Sequence, residues 1–293
     1  MGGVRDEIAE VIQIHSASGR RFEAGGVRSF VLDRGRGPAV VCLHGVPASS
    51  FAYRKLIPAI ADEGLRGYAF DLPGMGLAAR PERFDYGWSG LSRWVGEAID
   101  ALEIERCHLV VHDIGGPIGC EWALANPDRV LSITALNSIM GPAEFRPPWM
   151  MRPFAKRAIG PLWLRATPPF LFALLFGVVG VEDRSALTRR EVLAYRELLT
   201  LNDHGRAFLE IMRGFDHSLE LQQRLWQGLA EQRFNARIVW GRNDPAIGLD
   251  QLEIAKRVLG VEDPILLDAK HFLQEDQAPA IAQAIGDLAA PLG

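Results

Sequence analysis

The chain has no long apolar run, and charged residues are frequent near residue 1. Charged residues interrupt residues 1–21, where an export signal needs an unbroken apolar stretch, and no run reaches the roughly 18 to 20 apolar residues of a membrane span. These absences predict a soluble, cytoplasmic protein with no membrane partner. The longest apolar run, residues 168–181, contains two prolines and two glycines, which favours a buried helix or the lining of a pocket.

Cysteine is scarce, and metal or nucleotide motifs are absent. The three cysteines, Cys42, Cys107 and Cys120, form no CxxC pair, and each lies in an apolar stretch typical of a buried strand or helix. No cluster of His, Cys and carboxylate residues has zinc spacing, and neither GxGxxG nor GxxxxGK[ST] occurs. We therefore expect three core cysteines, no metal and no cofactor.

Neither sign of charge is in large excess. The 32 basic and 36 acidic side chains leave a net charge of −4, which gives no reason to expect a surface that binds polyanions. Nucleic acid is therefore not an expected partner.

What the sequence does contain is a series of short apolar runs that alternate with helical patterns. Continuous hydrophobicity within each run indicates strands covered on both faces, as in a parallel sheet, although the first two runs could pair as an antiparallel start. The eight predicted strands are residues 11–14, 29–33, 39–45, 67–74, 107–113, 130–138, 236–241 and 264–268.

The alternation stops after residue 140 and resumes near residue 233. Residues 141–232 are rich in Trp, Phe, Leu, Met, Arg and Pro, and they read as helices with no strand among them. A helical block inserted into a doubly wound sheet predicts a cap over the edge where such sheets bind ligands. We expect an α/β core of residues 1–140 and 233–293 and a helical cap of residues 141–232.

Asp113 is the first candidate catalytic residue. It ends an apolar strand and precedes Gly115, Gly116 and a helical pattern, so it lies at a strand, turn, helix junction that displays its side chain at the sheet edge. A carboxylate there can attack carbon and form an ester. The alternative is that Asp113 caps the following helix.

Asp244 and His271 each follow a later predicted strand. Both should therefore emerge at the same sheet edge as Asp113, in the chain order nucleophile, acid, base. An Asp and His pair can take a proton from water while the carboxylate fixes the imidazole. The alternatives are that Asp244 is an ordinary turn residue and that His271 is a surface or core histidine without a catalytic role.

The HGVP turn at residues 44–47 also follows a strand directly. Such a turn offers a backbone N–H to an oxyanion, so the N–H groups of Val46 and Ile114 are candidates for an oxyanion hole. A plain tight loop is the alternative.

Five segments together resemble one protein family. HGVP, DLPGMG, VVHDIGG, WGRNDP and KHFLQED occur in this order over most of the predicted core, and they are similar to the aspartate-nucleophile branch of the α/β hydrolases, the epoxide hydrolases and haloalkane dehalogenases. The resemblance implies the α/β-hydrolase fold, a mostly parallel eight-stranded sheet flanked by helices with an inserted helical cap. It also implies that Asp113 is the nucleophile, His271 the base and Asp244 its charge partner.

Two substrate classes remain open within this branch. The resemblance implies that side-chain N–H groups bind a departing halide. At the two positions where such donors are expected, this chain has the apolar residues Val46 and Ile114. The remaining candidate donors are Trp149 and Trp163 of the cap. For an epoxide it implies cap acids, usually two tyrosines or a His and a Tyr. The candidates here are Tyr195, His204 and His217.

We therefore expect an enzyme that opens epoxides to diols, acting on a small apolar organic substrate with water. Hydrolysis of carbon–halogen bonds is the alternative, although the arginine that fluoroacetate-type enzymes carry after the nucleophile is missing. A non-catalytic binding protein of the same fold is an alternative from another class. The oligomeric state stays open, with a homodimer among the options.

Overall fold

Eight strands form one sheet in the order β1-β2-β4-β3-β5-β6-β7-β8. The structure of the chain is a computed structural model, which describes residues 2–290. Strand β2 runs antiparallel to both of its neighbours, and the pairs from β4 to β8 are parallel. The predicted mostly parallel, eight-stranded sheet is confirmed. The strands are β1 Arg20–Ala24, β2 Val27–Gly35, β3 Ala39–Leu43, β4 Arg66–Phe70, β5 Cys107–Asp113, β6 Val130–Ser138, β7 Ala236–Gly241 and β8 Ile265–Leu267.

The α-helices flank this sheet or lie in the insertion between β6 and β7. Those of the core are α1 Gly2–Ala17, α2 Leu56–Asp62, α3 Trp88–Ala101, α4 Gly115–Ala125, α10 Leu249–Leu259, α11 Leu273–Asp276 and α12 Ala278–Ala289. Those of the insertion are α5 Gly160–Arg165, α6 Pro169–Val179, α7 Arg189–Thr200, α8 Arg206–Arg213 and α9 Leu219–Gln232.

The predicted start of the sheet is wrong in two places. Residues 11–14 are not a strand but part of helix α1, because Ile8, Val11 and Ile12 repeat at helical spacing and pack as a set against one side of the core. The sheet instead begins with β1, whose residues are largely exposed and therefore carry no apolar run. The antiparallel start exists, but β1 and β2 form it.

Two hydrophobic cores lie on opposite faces of the sheet. In β3, Val40 and Cys42 belong to one core, and Val41 and Leu43 belong to the other. Helices α3, α4 and α10 cover one face, and α2 and α12 cover the other. This double cover explains the continuous apolar runs, because successive side chains of a strand point to opposite faces and both are buried. The three cysteines are buried and free, as predicted.

The helical insertion lies between Ser138 and Ala236, and no strand occurs among the described residues in between. The boundaries at 141 and 232 remain a prediction, but the block of helices lies where the change of pattern indicated. Within residues 2–290, no helix is both long enough and apolar enough to cross a membrane.

Helix α4 can approach the sheet closely because it begins with glycine. A Cβ placed on Gly115 would lie 2.5 Å from the carbonyl oxygen of Leu43, which is a clash with backbone. We expect Gly115→Ala to lower the free energy of unfolding by about 1 to 3 kcal/mol, the usual cost of overpacking. Urea denaturation measures this change.

Gly177→Ala provides the matched control for that substitution. Gly177 lies within helix α6, and a Cβ there would find its nearest neighbour at 3.8 Å. Alanine is the better helix former by roughly 1 kcal/mol, so this variant should be neutral or stabilised. Equal stability of the two variants would contradict the close-approach argument.

Candidate active site

Asp113 occupies a left-handed turn between strand β5 and helix α4, with φ at 55°. This backbone conformation is uncommon for a residue with a side chain. The Asp113 side chain packs directly against Gly45, where no other side chain would fit, because a Cβ on Gly45 would lie 2.1 Å from Asp113 Oδ1. The turn therefore holds the carboxylate against the loop that follows β3, at the carboxyl edge of the sheet.

The carboxylate of Asp113 accepts hydrogen bonds from the backbone. The Val46 N–H donates to Oδ1 at 2.9 Å, and the N–H groups of Val46 and Ile114 both favour the charged form. Burial is the larger effect and raises the pKa of Asp113 above its usual range, although His271 and these N–H groups oppose it. The N-cap of helix α4 is Ile114, so Asp113 is not its capping residue.

His271 and Asp244 form a buried pair beside Asp113. His271 Nδ1 donates to Asp244 Oδ2 at 2.9 Å, and His271 Nε2 lies 3.7 Å from Asp113 Oδ2, too far for a hydrogen bond. Burial lowers the pKa of His271, but Asp244 and Asp113 outweigh it and raise that pKa above its ordinary value. The three side chains that the sequence placed at one sheet edge are thus brought together.

Asn137 is a member of the site that the sequence reasoning did not single out. Its Nδ2 donates to Asp244 Oδ2 at 2.9 Å, and its Oδ1 accepts from the Gly241 N–H at 2.7 Å. The other oxygen of Asp244 accepts from the N–H groups of Ala246 and Ile247. A signal was available, since Asn137 is the penultimate residue of strand β6, which lies between β5, the strand that ends at Asp113, and β7, the strand that precedes Asp244.

The loop that carries His271 is fixed from two sides. His112 Nε2 donates to the His271 carbonyl at 2.8 Å from beneath. The N–H groups of His271 and Phe272 donate to the carbonyls of Val179 and Gly180, at the end of cap helix α6. The cap therefore holds the backbone of His271 in place.

An apolar cavity of about 120 Å³ opens over Asp113 and His271. Most of its wall comes from cap side chains such as Met150, Phe172 and Phe176, and Val46 lines it beside Asp113. Besides Asp113 and His271, the polar lining residues are Thr167 and Arg196. The size and lining suit a small apolar molecule.

The two cap tryptophans differ in their position relative to the cavity. Trp149 is 64% exposed and does not line the cavity. Trp163 does line it, but its indole N–H donates to the carbonyl of Met150 at 3.1 Å. Neither indole N–H is therefore available to a departing halide in this arrangement.

The three expected cap acids are also placed outside the cavity lining. Tyr195 is 1% exposed, and its hydroxyl donates to Glu275, which is buried and also pairs with Arg54. Tyr195 therefore joins cap helix α7 to the core. His204 and His217 are exposed on the cap, and His217 bonds the carbonyl of Pro142. That one of them protonates a substrate stays a prediction, and these positions do not support it.

A metal centre is not formed by the described part of the chain. Within residues 2–290, no group of three or more His, Cys, Asp or Glu side chains is arranged to hold a metal ion.

Comparison with known proteins places this site in a family context. A sequence model of the α/β hydrolase fold matches residues 38–278. The haloalkane dehalogenase of Mycolicibacterium paratuberculosis is 29% identical over 266 residues, which are 88% of this chain and 86% of that protein.

Two solved structures are similar at low sequence identity. The epoxide hydrolase CorEH has a TM-score of 0.77 at 19% identity and covers 94% of this chain and 99% of its own. A loop variant of a haloalkane dehalogenase from Bradyrhizobium elkanii has a TM-score of 0.74 at 19% identity. The match covers 92% of this chain and 95% of the dehalogenase chain. Similarity at these identities indicates the fold alone.

The buried pair makes a prediction about titration. In an NMR titration, His271 should titrate above the ordinary histidine value near 6.5, because two carboxylates stabilise the imidazolium. Asp244→Asn removes the larger of these charges, so the pKa of His271 should fall. His108 contacts Ser132 and no carboxylate, so its pKa should not change. An unchanged His271 pKa in the variant would refute the pairing.

Proposed function

The chain is a hydrolase of the α/β hydrolase fold family, and from that membership we propose that it cleaves a small apolar electrophile through a covalent ester on Asp113. One observation carries the proposal. A carboxylate, rather than a hydroxyl, occupies the left-handed turn between the Val46 N–H and the His271 and Asp244 pair. A carboxylate nucleophile suits an sp3 carbon, because attack on a carbonyl would give an anhydride, a poor intermediate.

The two oxygens of Asp113 have different surroundings and therefore different tasks. Oδ1 is held by the Val46 N–H, whereas Oδ2 accepts no hydrogen bond from a described residue and faces His271 Nε2. Oδ2 attacks the substrate carbon, the carbon's bond to the leaving group breaks, and the leaving group departs with the electron pair. Oδ1 becomes the carbonyl oxygen of the ester, already in place in the oxyanion hole.

Hydrolysis of the ester uses the other members of the site. Neutral His271 takes a proton from water through Nε2, and the water oxygen attacks Cγ of Asp113. Negative charge forms on Oδ1, where the N–H groups of Val46 and Ile114 stabilise it. Collapse breaks the bond between Cγ and Oδ2, the imidazolium returns its proton, and the product leaves as an alcohol.

The leaving group decides between the two substrate classes. Epoxide opening leaves an alkoxide that needs a proton donor, and Tyr195, His204 and His217 do not line the cavity. A halide departs as a stable anion and needs no proton. This difference, together with dehalogenase relatives, moves the favoured substrate from an epoxide to a carbon–halogen bond. Epoxide hydrolysis remains the second candidate, because Val46 and Ile114 offer a halide no side-chain donor.

Arg196 is the residue best suited to receive a departing anion. Of the described residues around the cavity, it alone carries a fixed positive charge, and it forms no ion pair with a described carboxylate. Its Nε donates to the carbonyl of Thr167, another lining residue, at 3.4 Å. Arg196 is therefore the cation that the proposed reaction assigns to the leaving group.

The covalent step can be trapped by removing the base. His271→Gln should still form the ester but should not hydrolyse it, so mass spectrometry should find an alkyl adduct on the Asp113 peptide after incubation with 1-bromobutane. Styrene oxide in a parallel reaction tests the second candidate. Asp113→Asn, in a His271→Gln background, should give no adduct. A hydrolysed substrate that leaves no adduct in His271→Gln would refute the mechanism.

If Arg196 receives the leaving group, replacing it in the otherwise wild-type enzyme should slow the reaction. Arg196→Met should lower kcat for the alkyl bromide on the order of a hundredfold, the usual cost of one stabilising donor. Bromide release measures it. Arg189→Met is the matched control, because Arg189 lies on the same helix but is exposed and outside the cavity. Equal rates in both variants would exclude Arg196 from the reaction.

A further inference from the structure

The cap exposes an unusual number of large apolar side chains. Six of the ten that are exposed among the described residues fall within residues 149–178, and Trp149, Leu162 and Phe170 are each about two-thirds exposed. We call this set the cap apolar surface: Trp149, Ile159, Leu162, Phe170, Leu174 and Val178. Exposed apolar residues that concentrate in one stretch mark an interaction site more often than scattered ones do.

Helix α6 is apolar on two faces. Phe172, Phe176 and Val179 line the cavity, whereas Phe170, Leu174 and Val178 recur every fourth residue and are exposed. Residues four apart share one face of a helix. A helix that is hydrophobic all round is normally covered all round, so the outward face of α6 fits a partner that is itself apolar.

Within the stretch of chain between Glu144 and Glu182, the charges are all of one sign. Residues 145–181 contain five basic residues and no acidic one, although the whole chain has a net charge of −4. The five are exposed, and none forms an ion pair with a described residue. They are Arg146, Arg152, Lys156, Arg157 and Arg165.

We propose that the cap apolar surface docks on an anionic phospholipid bilayer. Apolar side chains flanked by unpaired Lys and Arg are what the boundary between acyl chains and anionic headgroups accommodates. A second copy of the chain fits less well, because a two-fold contact would bring two sets of five positive charges together. This interaction is peripheral and departs from the expectation of no membrane partner, which rested on the absence of a membrane span.

Vesicle sedimentation tests the proposal with the full chain. The protein should bind vesicles of two parts phosphatidylcholine to one part phosphatidylglycerol, and should bind pure phosphatidylcholine much more weakly. Binding should weaken as salt is raised, because the cations are exposed and screened.

Two paired sets of variants separate the apolar and the charged contributions. Leu162→Gln with Leu174→Gln should weaken binding at least tenfold, whereas Leu249→Gln with Leu266→Gln, exposed positions outside the cap, should not. Arg152→Gln with Arg157→Gln should weaken binding about thirtyfold. The control for charge is Arg34→Gln with Arg36→Gln, both exposed and without ion pairs to described residues. Circular dichroism should show every variant folded.

Three results would overturn the proposal. The first is no sedimentation with either vesicle. The second is that the cap variants bind the vesicles as tightly as their control variants do. The third is a dimer in light scattering that Leu162→Gln with Leu174→Gln dissociates, because a second copy would then cover this surface.

Discussion

The site depends on the close approach of three backbone segments around Asp113. Strand β5 ends in a left-handed residue, helix α4 starts on Gly115 against the carbonyl of Leu43, and Gly45 leaves space for the carboxylate itself. A side chain on either glycine would push these segments apart. The approach places Oδ1 at 2.9 Å from the Val46 N–H, so the fold itself positions this donor against the carboxylate.

The electrostatics of the site follow from burial. Asp113, Asp244 and His271 are each at most 6% exposed, so water screens their charges poorly, and the pKa values of Asp113 and His271 are both raised above their ordinary values. Burial makes Asp113 costly to ionise, while the two carboxylates make His271 easier to protonate. The cavity beside these side chains is lined by few other polar residues, Thr167 and Arg196, so under the proposed reaction a leaving group has few partners there.

The local patterns of the sequence predicted most strands and the residues at their ends, but they did not reveal side-chain contacts between residues far apart in the chain. Asp113 was recognisable because strand, small residues and helix follow in order. Residues 11–14 were wrongly predicted as a strand because a short apolar run fits a strand and a helix alike. Residues 20–24 were missed because they form an edge strand, whose residues are largely exposed and carry no apolar run. Tyr195 was a plausible acid until its contact with Glu275 placed it away from the cavity, a pairing across 80 residues that no local pattern reveals.

A single turnover in water enriched in oxygen-18 tests the covalent role of Asp113 most directly. With enzyme in excess over an alkyl bromide, the product alcohol should carry ordinary oxygen from Oδ2, and the Asp113 peptide should gain the heavy isotope when water attacks Cγ. Mass spectrometry of both species reads the outcome. An alcohol that carries oxygen-18, with an unlabelled Asp113 peptide, would mean that water attacks the substrate directly and would contradict the ester mechanism.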